Sequence, residues 1–400
     1  MSLAIENARV LLPDGIVETD LLLVDGLIQE IGGPFRAERL IDGKELLLAP
    51  ALIDIHGDAF ERQLMPRPNV FFPTEAALLE TDRQLATNGI ACAYHALTLS
   101  WEPGLRSVTH GWDILRTLAK IKTRLTVENR LQLRWETFAF EAVDLMRHAL
   151  EDDLTPAIAF NDHTSMSMRD RGRPIQERLF EHNPAFKAID PDDPSFPATQ
   201  DRHAARAGLS VEDYVALLKN VWTRRPEVPG MIAEVAAMAR ARNVPMLSHD
   251  DSQRETRDFF RGQGADISEF PMRRDVADAA RSAGDSIVFG APNVVRGGSH
   301  IGSPTAADMV EAGLCDVLAS DYFYPAMLAA VGKLVQDKRT SLLKAWGLVS
   351  SGPAKALRLE NRGSIQPGFR ADLVLVDWPD QATPAVKMTM SAGRIAYHAH

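Results

Sequence analysis

The 400-residue chain contains only two cysteines, Cys92 and Cys315. That is too few for a disulfide framework and is expected of a reducing compartment such as the cytoplasm. It lacks any uncharged apolar stretch of roughly 18 residues, so no membrane-spanning helix is expected. The opening residues, MSLAIENARVLLPDGIVETD, lack the basic flank and clean apolar run of a signal peptide and carry Asp14, Glu18 and Asp20 instead. Basic residues are the minority, 44 against 54 acidic ones, for a formal charge of -10. That balance excludes a general nucleic-acid binder, which needs clustered Lys and Arg. On net charge alone it also repels a small anion. No internal repeat or low-complexity segment occurs. What remains, 45% hydrophobic and 24% charged residues, describes a soluble globular chain large enough for one big domain and an appendage.

The first fifty residues read as short strands. LAIENARVLL, DLLLVDGLIQEIGG and RLIDGKELLLAP alternate apolar and polar positions around Asp14-Gly15, Asp25-Gly26 and Asp42-Gly43 turns. The last forty-five, with GSIQPGFRADLVLVDW and VKMTMSAGRIAYH, do the same. Between them, apolar runs alternate with helical patterns: ALIDIHGD, ACAYHALTL, LQLRWETF, PAIAFNDHTS, VPMLSHDD, DISEFP, SIVFGAP and CDVLASDY. Eight strands with intervening helices predict a (β/α)8 barrel over 51–355, with 1–50 and 356–400 forming a composite β-sandwich domain. A doubly wound open sheet is the alternative from pattern alone. The irregular stretch 166–207, rich in Pro, Asp and Arg, reads as a lid after the fourth strand, with helical pattern resuming at Val211.

Polar residues gather where these strands end, the side on which barrel enzymes keep their sites. Strand one ends in His56-Gly57-Asp58, strand three in Glu136, strand four in Asp162-His163, strand five in His249-Asp250-Asp251 and strand eight in Asp321. Residues at i and i+2 on a strand point the same way, so His56 and Asp58 can share one ion. A lone His after a buried strand is more often a satisfied hydrogen-bonding residue; five strands delivering His or carboxylate to one rim predict a metal site. Imidazole with carboxylate suits zinc first, and equally manganese or iron. Two divalent ions need a bridging anion. None of the ten lysines lies at a strand end to supply a carbamate, which leaves Glu136 as the bridge. Asp321 would bind one ion and take the proton from an activated water.

PALIDIHGD resembles the strand-one metal motif of the amidohydrolase superfamily, and GSIQPGFRADLVLVD resembles its C-terminal sandwich signature. HGDAFERQLMPRPNV, LSHDDS, SEFP, FGAPNVVRGGSH and SDYFYPAML resemble, more specifically, the branch of that superfamily belonging to the carbon–phosphorus lyase pathway. The resemblance runs through the barrel and both terminal segments. It implies a binuclear metal centre and release of pyrophosphate from a ribosyl 5-triphosphate, with His56, Asp58, Glu136, His163, His249 and Asp321 as metal ligands. It makes His300 a candidate for contacting phosphoryl oxygens or protonating the leaving group. Arg296, Gly297, Gly298 and Ser299 follow strand seven, where barrels commonly bind phosphate, and paired glycines let backbone N–H groups approach an oxyanion. Arg169, with Arg171 and Arg173 on the lid, offers bidentate phosphate contacts, against the plain alternative of a solvated loop in a chain with 34 arginines.

Two segments depart from the family pattern: Thr164-Ser165-Met166-Ser167-Met168 after the strand-four His, and His95 in place of an acidic residue on strand two. Neither touches an expected ligand, but both leave the substrate open. The expectation is therefore a metal-dependent diphosphatase acting on a small anionic substrate, with no nucleic acid or membrane partner and with a homo-oligomer left open. The alternatives are C–N bond hydrolysis on the same metals, or a barrel that kept its fold and lost its reaction.

Overall fold

The computed structural model describes every residue except Met1, Asp152, Asp153, Asp170, Arg171, Pro184, His300, Asp380, Gln381 and His400. Two eight-stranded sheets carry the fold. The first is mixed and joins both termini. Ser2–Leu12 pairs antiparallel with Gly15–Val24 and parallel with Leu47–Pro50. Leu47–Pro50 in turn pairs with the C-terminal strand Leu373–Asp377. Alternation decides what each face covers. Leu48, Leu373 and Leu375 join Ile5, Val10 and Leu21 in the sheet's own core, while Leu47, Ala49, Val374 and Val376 turn to the barrel. The sheet therefore packs on both faces, which is why its strands read as more apolar than a half-exposed hairpin. Among the described residues no helix is long and apolar enough to cross a membrane.

The second sheet is the barrel, and its eight parallel strands fall in the eight apolar runs. They are Leu52–Gly57, Ile90–Leu99, Glu128–Glu136, Ala157–Asn161, Met246–His249, Ile267–Glu269, Ser286–Gly290 and Val317–Ala319, each paired to the next. The seam is closed by Asp321 N donating to His56 O and Asp58 N to Asp321 O, both at 2.9 Å. Asp54, wholly buried, reinforces it: its carboxylate accepts from Ser320 N at 2.9 Å and from the Ser320 hydroxyl.

Period-two alternation also sorts each strand of the barrel. On strand three, Leu131, Leu133 and Trp135 pack outward on the helices, while Gln132, Arg134 and Glu136 share the opposite face. Ile267, Leu247, Val288, Val317 and Ala319 fill the interior layer, and the next inward positions upward are Glu269, His249, Gly290 and Asp321. The core layer thus stops one residue pair below a rim made of polar groups.

The 166–207 stretch is less uniform than its composition implied. Met166–Met168 completes a helix, His163–Met168, because Asp162 caps it by accepting from Ser165 N at 2.7 Å. Helix resumes at Asp201–Ala207, ended by Gly208 in the left-handed region (φ 70°), before the helix Val211–Trp222. The segment is pinned to the barrel by Arg178, which is buried and donates to Asp250 O at 2.9 Å.

At the opposite end, Gly352 lies so close to strand eight that a Cβ there would meet Asp316 O at 2.1 Å. Gly352→Ala should therefore cost about 1–3 kcal/mol of stability through forced backbone displacement, read as a lower urea midpoint; an unchanged midpoint would show that the contact is not tight.

Candidate active site

Three residues of the rim adopt the left-handed conformation without being glycine: Asp250 (φ 59°), Phe270 (φ 54°) and Asp321 (φ 54°). Each follows a barrel strand, and each donates its N–H to a carbonyl of an adjacent strand: Glu269, Val288 and His56 respectively. The local strain is held by these bonds. Phe270 stands edge-on to both His56 and His249, with ring centroids 5.1 and 5.2 Å away, and walls them off on one side.

These turns gather three groups of donor atoms, each within 4.8 Å: His56 with Asp58 and Asp321; His56 with His249 and Glu269; and His163 with His249 and Asp250. His56 and His249 each belong to two groups, so the sites adjoin. His56, His249 and Glu269 are buried and the other donors half-buried, and the buried ones are poorly satisfied. His56 Nδ1, both ring nitrogens of His249 and Glu269 Oε2 make no hydrogen bond among the described residues. Imidazole and carboxylate atoms that converge without aligned hydrogen bonds, His56 Nδ1 3.1 Å from Glu269 and His249 Nδ1 3.1 Å from Asp250, fit a divalent cation.

Electrostatics differ between the donors. Glu136 would be raised by burial, but His163 and Arg134 hold it down to about 2. Burial lowers His249 to about 4, keeping the imidazole neutral as a ligand requires. Asp321 is pushed up to about 6 by burial, with His56 opposing and Asp58 and Asp250 adding to the rise.

Five of the six expected ligands, His56, Asp58, His163, His249 and Asp321, lie in these groups. Glu136 lies in none of them: its carboxylate accepts from His163 N at 3.0 Å and engages the His163 Nδ1 atom, so it stands beside the groups as His163's partner. Glu269 takes a place the sequence reading did not assign. It is wholly buried, accepts from Gln132 Nε2 at 2.7 Å and lies 3.1 Å from His56 Nδ1. The signal was available in DISEFP, a carboxylate closing a buried strand as Glu136 does. Asp162 and Asp251 point elsewhere, the first capping a helix and the second bonded to Ser248 and facing Arg257 at 3.5 Å. His95 faces away from the donors: its Nε2 meets Asn129 Oδ1 at 2.7 Å, and Asn129 is held by Asp82, so it is a structural residue.

A cavity of about 310 Å³ opens above the donors, lined by His56, Asp58, His249, Asp250 and Asp321 and by Arg106, Arg134, Arg296, Gly298 and Ser299. Arg296 is exposed, with Nη1 3.5 Å from the Tyr322 hydroxyl. Gly297 ends the helix Ala291–Arg296 in the left-handed region (φ 78°), turning the following glycine toward the cavity. Arg169 stands apart from the residues that line this cavity: its backbone bridges to Ala188 and its Nη1 donates to Arg173 O at 3.2 Å. His300 and Arg171 lie outside the described residues.

A sequence profile of the amidohydrolase family matches residues 198–397, half of the chain. The chain belongs to the amidohydrolase family. It is also 28% identical, over 94% of its length and 95% of the relative's, to alpha-D-ribose 1-methylphosphonate 5-triphosphate diphosphatase of Escherichia coli (strain K12). Among solved structures, an adenosine deaminase from Xanthomonas campestris with bound zinc aligns at TM-score 0.64 and 13% identity, over 98% of this chain and 92% of that one. Phenylurea hydrolase B aligns at 0.64 and 13%, over 99% and 96%. At such identities these likenesses establish the fold. The amidohydrolase is accordingly a hydrolase with a barrel-mouth donor set able to hold divalent metal.

Two outcomes test this centre. Glu269→Gln keeps shape but removes a charge, and should lower metal affinity roughly ten- to hundredfold, read by elemental analysis after dialysis; full metal content would remove Glu269 from the centre. In metal-stripped protein, Asp321 holds its proton in the fold up to about pH 6, whereas the unfolded chain releases it near pH 4. Stability therefore falls as pH rises through that window and stays low above it. Asp321→Asn should make the metal-free protein more stable above pH 6 by about 1–2 kcal/mol, discounted because the group partly reaches water, with no gain below pH 4.

Proposed function

We propose that this hydrolase is a metal-dependent diphosphatase that releases pyrophosphate from a ribosyl 5-triphosphate, such as alpha-D-ribose 1-methylphosphonate 5-triphosphate, in phosphonate catabolism. The observation that carries the reading is one cavity in which the donor groups face the Arg296–Ser299 loop at the end of strand seven. Similarity to the Escherichia coli diphosphatase over nearly the whole of both chains supports it.

His56, Asp58, His163, His249, Asp250, Glu269 and Asp321 would hold two divalent ions, zinc first, which supply Lewis acidity and a water nucleophile at neutral pH. Asp321, fixed by its backbone bonds to strand one, would take the proton from the attacking water. Arg296 and the Gly298 and Ser299 backbone receive the phosphate chain, and the developing charge on the departing pyrophosphate is met by fixed cationic groups rather than by solvent. His300 is assigned to the leaving group on the family pattern alone. The buried, unpaired thiols of Cys92 and Cys315 suit a reducing, cytoplasmic setting.

C–N hydrolysis on the same centre is the second reading, since solved structures of the same fold include an adenosine deaminase and a phenylurea hydrolase. A substrate panel separates the two. Metal-loaded protein should release pyrophosphate from ribosyl triphosphates and no ammonia from nucleosides or amides, and Asp321→Asn should drop that release by roughly three orders of magnitude or more. Absence of turnover on every triphosphate, with turnover on an amide, would overturn the reading.

A further inference from the structure

Arg134 is a buried cation that makes no direct ion pair among the described residues. It lies on strand three, two residues before Glu136 and on the same face. The residue is only 7% exposed, and its side chain borders the cavity above the donors. Its Nε donates to Asn161 Oδ1 at 2.9 Å. Asn161 cannot turn away, because its Nδ2 donates to Ala159 O at 3.0 Å, which leaves Oδ1 facing the arginine. With Nε fixed, the two Nη groups make no hydrogen bond or ion pair among the described residues. The cavity's other arginines differ. Arg106 is bound through both Nε and Nη2 to Glu61 at 2.9 Å, and Arg296 is exposed to solvent.

A guanidinium without a direct partner is costly to bury, and the carboxylates around Arg134 offset that cost only at a distance. Its charge acts on Glu136, Asp250 and Asp321 by attraction and on His56 and His249 by disfavouring their protonated forms. A divalent ion in the same donors would be repelled by it. An anion placed between the guanidinium and the cation would relieve that repulsion.

We propose that Arg134 grips the phosphoryl oxygens of the substrate from the floor of the cavity, with its planar Nη fork taking two oxygens of the group that also faces the donor set. This rests on the phosphate reading above and deepens it: the ligand class is a phosphoryl group presenting two oxygens at once. The fork matches that geometry, and a lysine at the same place would offer charge without it. Arg134 therefore opposes the metal and recruits the anion, so the two ligands should bind cooperatively.

The test titrates inorganic pyrophosphate into zinc-loaded, dialysed protein by calorimetry, with zinc content measured on the same samples. Arg134→Met should bind pyrophosphate roughly ten- to hundredfold more weakly, while retaining zinc at or above the wild-type level because a like charge is gone. Arg134→Lys should fold, keep zinc and recover part of the affinity. Wild-type pyrophosphate affinity in zinc-replete Arg134→Met overturns the proposal, and so does loss of zinc, which would make Arg134 a structural support of the donors. Should Arg134→Met not fold, Arg134→Lys decides: affinity equal to wild type overturns the fork. Turnover keeps the two readings apart. Triphosphate hydrolysis with Arg134-independent pyrophosphate binding removes this inference alone. Arg134-dependent binding without triphosphate hydrolysis removes the diphosphatase reading alone. Wild-type protein that binds no pyrophosphate removes both.

Discussion

The seam between the last and first barrel strands is the constraint on which fold and site both depend. Two backbone hydrogen bonds, Asp321 N to His56 O and Asp58 N to Asp321 O, join residues from opposite ends of the barrel sequence. They put His56, Asp58 and Asp321 within reach of one ion. Asp54 and Ser320, 266 residues apart in sequence, lock the same seam one step deeper. Loop-closure entropy over such a span is offset by the apolar layers beneath and around the strands, so the donor group exists only once the whole barrel has closed.

Above that seam the molecule resolves its charge by location. The chain is acidic overall, yet four of the carboxylates at the mouth, Asp58, Asp250, Glu269 and Asp321, belong to groups able to hold divalent cations. The cavity over them carries Arg106, Arg134 and Arg296. Metal in the donors would offset those carboxylates, and the range of the local field is short in physiological salt. Net charge therefore speaks to long-range partners, while the local arrangement of donors and arginines governs what enters the cavity.

Much of this was legible in the chain. Eight apolar runs separated by helical patterns become the eight barrel strands within a few residues, because a strand buried on both faces can be built only from such runs. Polar residues placed just after those runs were bound to appear at one end, since parallel strands share a direction. Composition was a poorer guide over 166–207, where Asp162 and Gly208 supply a cap and a stop that create short helices among prolines and arginines.

Which side chains meet was a different matter. His95 and His163 both belong to apolar runs with a polar end, but His95 lies within its strand and faces out to Asn129, whereas His163 opens the helix after its strand and meets His249 and Asp250. Glu136 and Glu269 both close a strand, yet Glu136 is engaged by His163 while Glu269 reaches across the barrel to His56 and lies beside His249 on the neighbouring strand. Arg169 and Arg134 are both arginines near the mouth, and it is the one inside a strand that borders the cavity. The sequence by itself determined the layers, the order of strands and the end at which chemistry gathers, because these follow from local periodicity and chain direction. Tertiary structure alone decided the partners, because barrel closure and strand register set distances between residues that no local pattern relates.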